Sequence, residues 1–173
     1  MGFSLGPSGL DHTHTGYSSS APRVYNISGG TYYNGSGYTN QAMRLLQMPA
    51  SGSHLFVGKL IKKGDFNYTG QNTNVDIMYA QWDQTTSAYE LKCRGNDFHD
   101  TSNAYFWVDS SKWLWFWNND QWHQQNFLVV YNISPSITID CQTTTNDQHN
   151  WSGQTRYAVS NGVVHTREAS YGD

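Results

Sequence analysis

The stretch Ala88-Tyr89-Glu90-Leu91-Lys92-Cys93 alternates between apolar and charged side chains. Side chains two residues apart in an extended strand point to the same face of a sheet. The tyrosine, leucine and cysteine of this stretch therefore share one face, and its two charged residues share the other. The same alternation occurs in Ser136-Ile137-Thr138-Ile139-Asp140-Cys141. It is typical of strands that have one buried and one solvated face, as in an antiparallel sandwich.

Comparable runs rich in β-branched and aromatic residues recur from about residue 43 onward, separated by turn signals of Gly, Pro, Asn and Asp. No segment shows a convincing helical period. The sequence therefore predicts an all-β fold, an antiparallel β-sandwich of about eight or nine strands. The predicted strands are 43–48, 54–62, 73–82, 87–93, 103–109, 113–117, 126–133, 136–141 and a short one at 163–167.

The first part of the chain differs in composition from the rest. Residues 1–40 are rich in Gly, Ser and Thr and have few side chains with which to bury a core. Such a segment is either a linker or a strand-like stem ordered by neighbouring chains. We predict an extended stem at 1–40, carrying the HxH motif described below, and a β-sandwich head at 41–173.

The bulk composition excludes two classes of partner. Charged residues make up 13 % of the 173 residues, and the net charge is −3. Binding to nucleic acid depends on neutralising phosphates with Lys and Arg, so no nucleic-acid partner is expected. No apolar run reaches the ~18 residues of a membrane-spanning helix, so no membrane insertion is expected.

A histidine pair lies in the predicted stem. His12 and His14 are two residues apart in His12-Thr13-His14-Thr15-Gly16, so an extended chain presents both imidazoles on one face. Two imidazoles are too few to close a metal site, but three chains around a threefold axis would supply six nitrogens. That cage suits a first-row transition metal ion such as Fe, Zn or Ni. An accidental histidine pair in a linker is the alternative.

The segment from Asp11 to Gly16 resembles the HxH motifs of bacteriophage tail fibres. The resemblance covers this short motif, and the remaining chain matches only in its β-rich, amide-rich and aromatic character. It implies a homotrimer at the tip of a virion tail fibre, extracellular, with His12 and His14 binding metal on the trimer axis. Fibre tips often carry several such motifs in series, whereas this chain has one, which favours a single metal ion that links the three chains.

An aromatic block follows in the predicted strand at 113–117. Alternation places Trp113, Trp115 and Trp117 on one face, with Leu114 and Phe116 on the other. One face must belong to the core of its own subunit. The favoured interpretation is that the other packs in a trimer interface or under a loop, because exposed tryptophans promote aggregation. An aromatic surface that stacks sugar rings is the alternative.

Two amide-rich loops are the predicted receptor-binding sites, since loops on a rigid sandwich commonly carry binding residues. Each combines a tryptophan and a histidine with amides and a carboxylate, but an ordinary solvated turn remains the alternative for both. The candidate receptor-binding residues are Asn119, Asp120, Gln121, Trp122 and His123 in the first loop, and Asn146, Asp147, Gln148, His149 and Trp151 in the second. A third loop, with Asp97, His99 and Asp100, is interpreted as a surface turn rather than a metal site.

Catalysis is not expected. No recognised nucleophile, zinc or phosphate-loop motif occurs, and the only glutamates, Glu90 and Glu168, lie far apart in the sequence. Cys93 and Cys141 are interpreted as buried free thiols, although a disulfide between them remains open.

The sequence thus predicts the receptor-binding tip of a trimeric phage tail fibre. Its expected partners are two further copies of the chain and a bacterial surface receptor, either a glycan or an outer-membrane protein, which it would bind without catalysis. Two alternatives remain open: a purely structural trimeric virion or appendage module, and a stand-alone secreted lectin.

Overall fold

A computed structural model describes the chain in segments. They are residues 22–27, 32–33, 38–39, 42–63, 73–97, 104–118, 125–143, 155, 157–159 and 164–171. These residues form strands and their connections, with no helix among them. The strands are β1 (Arg23–Ile27), β2 (Tyr32–Tyr33), β3 (Tyr38–Thr39), β4 (Met43–Gln47), β5 (His54–Lys63), β6 (Thr73–Trp82), β7 (Thr85–Asp97), β8 (Ala104–Val108), β9 (Trp113–Asn118), β10 (Gln125–Ile133), β11 (Thr138–Thr143), β12 (Tyr157–Val159) and β13 (Val164–Ser170).

The strands form two antiparallel sheets and a small hairpin. The first sheet has six strands in the order β1-β10-β5-β6-β7-β13, and the second has five in the order β11-β4-β9-β8-β12. β2 and β3 pair with each other. The prediction of an all-β antiparallel fold is confirmed. Each of the nine predicted strands corresponds to one of β4–β11 or β13, with differences confined to the strand ends.

β1 lies inside the segment that the sequence assigned to the stem. It pairs with β10 along its whole length, from Arg23 opposite Val130 to Ile27 opposite Asn126. The sandwich therefore includes residues that precede 41. Residues 1–21, with His12 and His14, lie outside the described residues.

The core lies between the two sheets and follows the predicted alternation. Tyr89, Leu91 and Cys93 of β7 are buried, as are Leu114 and Phe116 of β9. They join side chains from both sheets in one apolar cluster, which also includes Leu46, Phe56, Leu60, Val75, Ile77, Tyr79, Phe106 and Leu128. Burial of this apolar surface is the main favourable term for a sandwich of this kind.

The two cysteines are free and buried, one in each sheet. This confirms the interpretation as free thiols. Burial raises the pKa of Cys93, and burial together with the neighbouring charge of Asp140 raises the pKa of Cys141 to about 12. Both thiols therefore remain protonated and unreactive near neutral pH.

One end of the sandwich is closed by a polar network centred on Gln81, which is 1 % exposed. Its Nε2 donates to the carbonyl oxygens of Pro49 (3.2 Å) and Gly52 (3.1 Å). Its Oε1 accepts hydrogen bonds from Lys112 Nζ (2.8 Å) and from the Tyr171 hydroxyl (2.9 Å). Both donors and both acceptor positions of the amide are therefore used.

Lys112 ties this network to the turn between β8 and β9. Besides Gln81, its ammonium donates to the carbonyl oxygens of Ala50 (2.9 Å) and Thr86 (2.7 Å) and lies 4.6 Å from the centre of the Tyr171 ring. Its backbone has a φ of 68°, a left-handed conformation that is uncommon outside glycine. Burial lowers the pKa of this ammonium from its ordinary value. The contacts join the two sheets at this end.

Candidate functional site

The sequence-predicted site residues lie outside the described residues. This applies to the metal ligands His12 and His14, to the first loop (Asn119, Asp120, Gln121, Trp122 and His123) and to the second (Asn146, Asp147, Gln148, His149 and Trp151). Of the third loop, Asp97 ends β7, while His99 and Asp100 also fall outside. The binding roles of these residues therefore stay predictions. A site has to be sought among the described strands.

The indole face is the surface of the five-stranded sheet that points away from the core. Trp107 of β8 and Trp115 of β9 lie opposite each other in register and stack with a centroid distance of 5.8 Å and an interplanar angle of 2°. They are only 2 % and 8 % exposed. Trp115 Nε1 donates to Asp109 Oδ2 at 2.8 Å, which satisfies the buried indole. Together with Ala42 they form a second apolar cluster among the described residues.

A guanidinium covers part of the same face. The Arg44 guanidinium carbon lies 4.3 Å from the centre of the Trp113 ring, a cation–π contact, and the side chain is ion-paired with Asp140. Trp117 stacks at a tilt against Tyr105, with centroids 5.5 Å apart. Trp107 and Trp115 are thus covered within a single chain, whereas Trp113 and Trp117 are partly buried. The burial of the central pair favours a covered strand over an open sugar-stacking surface, and packing of this face in a trimer interface stays a prediction.

A different indole is exposed. Trp82, at the end of β6, is 42 % exposed and lines a surface cavity of about 360 Å³. We call this cavity the Trp82 pocket. It lies on the six-stranded sheet, and its remaining lining consists of Ser53, His54, Leu55, Met78, Ala80, Gln81, Glu90, Lys92 and Ser134.

Sheet register places the apolar and charged linings of the Trp82 pocket next to each other. Leu55, Ala80 and Glu90 form one row across β5, β6 and β7, and Met78 and Lys92 form part of the neighbouring row. Because paired residues share a face, the apolar residues and the two charged residues lie on the same side of the sheet. The pocket therefore combines apolar contact surface with polar groups, the composition typical of small-ligand sites.

The charged groups of the pocket form an ion pair. Lys92 Nζ contacts Glu90 Oε1, and the two side chains are 41 % and 9 % exposed. The same register places Glu168 of β13 opposite Glu90, so the only two glutamates of the chain are cross-strand neighbours. Glu168 is exposed and is not part of the cavity lining. The sequence concealed this pair because the two residues are far apart along the chain.

The rim of the Trp82 pocket is shaped by the loop that precedes β5. His54 Nε2 lies 2.8 Å from the Ser51 carbonyl oxygen, to which it donates in the Nε2–H tautomer. Gly52 has a φ of 98°, and a Cβ there would lie 2.9 Å from His54 Nε2. The backbone conformation therefore favours a glycine, since other residues rarely adopt this φ. Gln81 anchors the same loop from below through the Gly52 carbonyl.

Sequence reasoning missed Trp82 because it treated the residue as the last position of a strand. The signal was nevertheless present. Asp76, Met78, Ala80 and Trp82 alternate with the apolar run that includes Tyr79, so they occupy the outer face of the sheet. An indole on that face, immediately before a tight turn, is a candidate for exposure.

No metal centre is found in the part of the chain that the structure describes, where no three His, Cys, Asp or Glu side chains converge. Comparisons with family models, with curated proteins and with solved structures found no match. No helix of the described segments has the length and apolar character needed to cross a membrane. The Trp82 pocket is the candidate binding site among the described residues.

Proposed function

We propose that this protein is the receptor-binding tip of a trimeric phage tail fibre, which attaches to a bacterial surface glycan or outer-membrane protein without catalysis. The observation that carries the attachment function is the exposed indole of Trp82 beside a cavity with polar groups. Tryptophan gives a large, rigid contact area and is enriched among residues that dominate binding energy. β6 and β7 hold it on a hydrogen-bonded sheet, which limits the ordering cost of binding.

Comparison with the other exposed apolar side chains supports Trp82 as the anchor. Among the described residues, Val24 and Tyr131 are also large, apolar and exposed. Neither lines the Trp82 pocket, and scattered single apolar residues on a surface are ordinary. Trp82 alone of the three combines exposure with a cavity and with hydrogen-bonding neighbours.

The assignment to a fibre tip is supported by the resemblance of the Asp11–Gly16 segment to tail-fibre HxH motifs. In this proposal three chains assemble in the virion, and His12 and His14 of each bind one Fe, Zn or Ni ion on the trimer axis. Three pockets per fibre would then add avidity to individually weak binding.

The non-catalytic part of the proposal is supported by the ion pair. Glycosidic cleavage requires two carboxyl groups, one of which acts as a proton donor. Glu90 Oε1 is instead ion-paired with the Lys92 ammonium. The second candidate function is glycoside hydrolysis. It is favoured by the strand register, which places Glu168 opposite Glu90 and so supplies two carboxyl groups.

The test is binding of purified protein to a panel of Gram-negative strains and to immobilised bacterial glycans. Wild type is compared with Trp82→Ala and with the matched control Tyr131→Ala, which removes an aromatic side chain of 47 % exposure outside the pocket. We expect Trp82→Ala to weaken binding about 30-fold, since truncating an anchor costs about 2 kcal/mol. Tyr131→Ala should bind as wild type, with both variants matching its melting temperature.

Four results would contradict the proposal. Equal binding by wild type and Trp82→Ala would show that Trp82 does not anchor the receptor. Absence of binding to every strain and glycan would favour a purely structural module. Release of reducing ends from a bound glycan, abolished in Glu90→Gln, would replace attachment with hydrolysis. Sedimentation that finds only particles of about 20 kDa, the mass of one 19.6 kDa chain, would contradict the trimer.

A further inference from the structure

We propose that the Trp82 pocket binds a neutral hexopyranose and holds a vicinal diol of that sugar between the Lys92 ammonium and the Glu90 carboxylate. This inference rests on the proposed attachment function and names the ligand class of its site. The carrying observation is an ion pair that is part of a cavity wall rather than isolated on a flat surface.

The ion pair offers a donor and an acceptor side by side. Lys92 has three N–H donors, of which the contact with Glu90 uses one, and its side chain is 41 % exposed. Glu90 uses Oε1 for this contact, while a carboxylate has about four acceptor positions. Adjacent sugar hydroxyls offer the complementary pair, because one oxygen can accept from Lys92 while the next hydroxyl donates to Glu90.

The charge of the surroundings selects a neutral ligand. Glu90 and Lys92 cancel each other, and the next row of the sheet contains Lys59 and Asp76, 3.4 Å apart, with Arg94 opposite Asp76. Together with Glu168 opposite Glu90, these rows contain three anionic and three cationic side chains, so their charges balance. An acidic sugar would meet both Glu90 and the cross-strand Glu168. An amino sugar would compete with Lys92 for the carboxylate. A neutral sugar avoids both costs. Its hydrogen bonds to charged partners are stronger than hydrogen bonds between neutral groups.

The shape of the cavity suits one sugar ring. A volume of about 360 Å³ lies near the lower end of the ~300–1,000 Å³ range of small-ligand sites. Trp82, Met78 and Leu55 provide apolar surface for the C–H face of a pyranose, and the ion pair provides the polar edge. The Ser134 hydroxyl, which accepts from Leu55 N at 2.9 Å, lines the same cavity.

The test is a titration followed by NMR of the tryptophan indole N–H groups. The probes are methyl glucoside, methyl galactoside and methyl mannoside, compared with glucuronic acid and glucosamine. The Trp82 resonance is assigned by its absence in Trp82→Phe. We expect at least one neutral glycoside to shift this resonance saturably, and the acidic and amino sugars to bind at least 10-fold more weakly.

Variants of the ion pair test the diol contact. Lys92→Met keeps the aliphatic length but removes the donor, and should weaken binding of the neutral glycoside by about 10-fold or more. Lys59→Met makes the matching change in the neighbouring ion pair outside the pocket and should leave binding unchanged. Analogues that lack one hydroxyl of the recognised diol should lose a comparable factor, a result that needs no variant to fold.

The outcomes separate this inference from the attachment function. Tighter binding of an acidic or amino sugar, or wild-type affinity in Lys92→Met, would overturn the diol contact. If Trp82→Ala abolishes adsorption to cells while no free sugar shifts the Trp82 resonance, the inference falls and the attachment function stands. If no sugar shifts the Trp82 resonance and Trp82→Ala adsorbs to cells as wild type does, the inference and the attachment function are both contradicted.

Discussion

Replacing Gln81 by methionine tests whether the buried polar network holds the two sheets together. The side chain is 1 % exposed, and its amide makes four hydrogen bonds, to Pro49, Gly52, Lys112 and Tyr171. Methionine has a similar length and no strong hydrogen-bonding group, so Gln81→Met removes all four bonds with little change in packing volume.

The magnitude follows from these contacts. A net value of about 1 kcal/mol for each of the three neutral bonds and about 2 kcal/mol for the bond from the Lys112 ammonium gives about 5 kcal/mol. Lys112 keeps its bonds to the Ala50 and Thr86 carbonyls, which reduces the loss. We expect the free energy of unfolding to fall by about 3–5 kcal/mol. For a chain of 173 residues this corresponds to a fall in melting temperature of about 6–20 °C.

The assay is thermal and urea denaturation at one fixed protein concentration, because assembly would make the melting temperature depend on concentration. Gln47→Met is the matched control. Gln47 makes one solvent-exposed bond, from Nε2 to the Ser111 carbonyl at 2.8 Å, so its replacement should cost less than about 1 kcal/mol. A loss below about 1 kcal/mol for Gln81→Met, or a loss equal to that of the control, would refute the reasoning.

Two further changes test the packing of the sandwich. A Cβ at Gly58 would lie 2.5 Å from both Phe56 Cζ and the Val129 carbonyl oxygen. Gly58→Ala should therefore lower the free energy of unfolding by about 1–3 kcal/mol, measured by urea denaturation. An unchanged midpoint of urea denaturation would contradict this. Burial raises the pKa of Tyr171 to about 12, so the unfolded chain loses this proton first and stability should fall as the pH rises from about 10 towards 12. Melting temperatures across this range should fall less steeply in Tyr171→Phe, and an identical slope would exclude Tyr171 as a source of the alkaline loss.

The strands of the two sheets were predictable because most have one buried and one wet face. In β7 the alternation identified the buried residues directly, Leu91 among them. In β9 it separated two faces without deciding which one forms the core, and both are buried, at Phe116 on one side and Trp115 on the other. β1 was missed because its five residues lie next to a segment rich in Gly and Ser, and an edge strand needs only one partner. What defines it is pairing with β10, about a hundred residues away, and no local pattern reports that.

The candidate site was less predictable than the fold for the same physical reason. The predicted recognition loops were chosen by composition, which identifies binding chemistry but not a position in space. The Trp82 pocket depends on register: Leu55, Ala80 and Glu90 meet only because three strands pair in one alignment. The network around Gln81 likewise joins residues that no local sequence window contains.

The same residue type occurs in two different environments in this sandwich, buried among partners or exposed beside a cavity. On the indole face, Trp115 has an indole partner, a carboxylate for its N–H and little exposure. Tryptophans in that environment stabilise the chain, and their replacement should reduce its stability first. Trp82 is 42 % exposed at the edge of a cavity. Its indole is far less buried than that of Trp115, so a large effect of Trp82→Ala on binding with an unchanged melting temperature is the result that separates a receptor-binding module from a structural one.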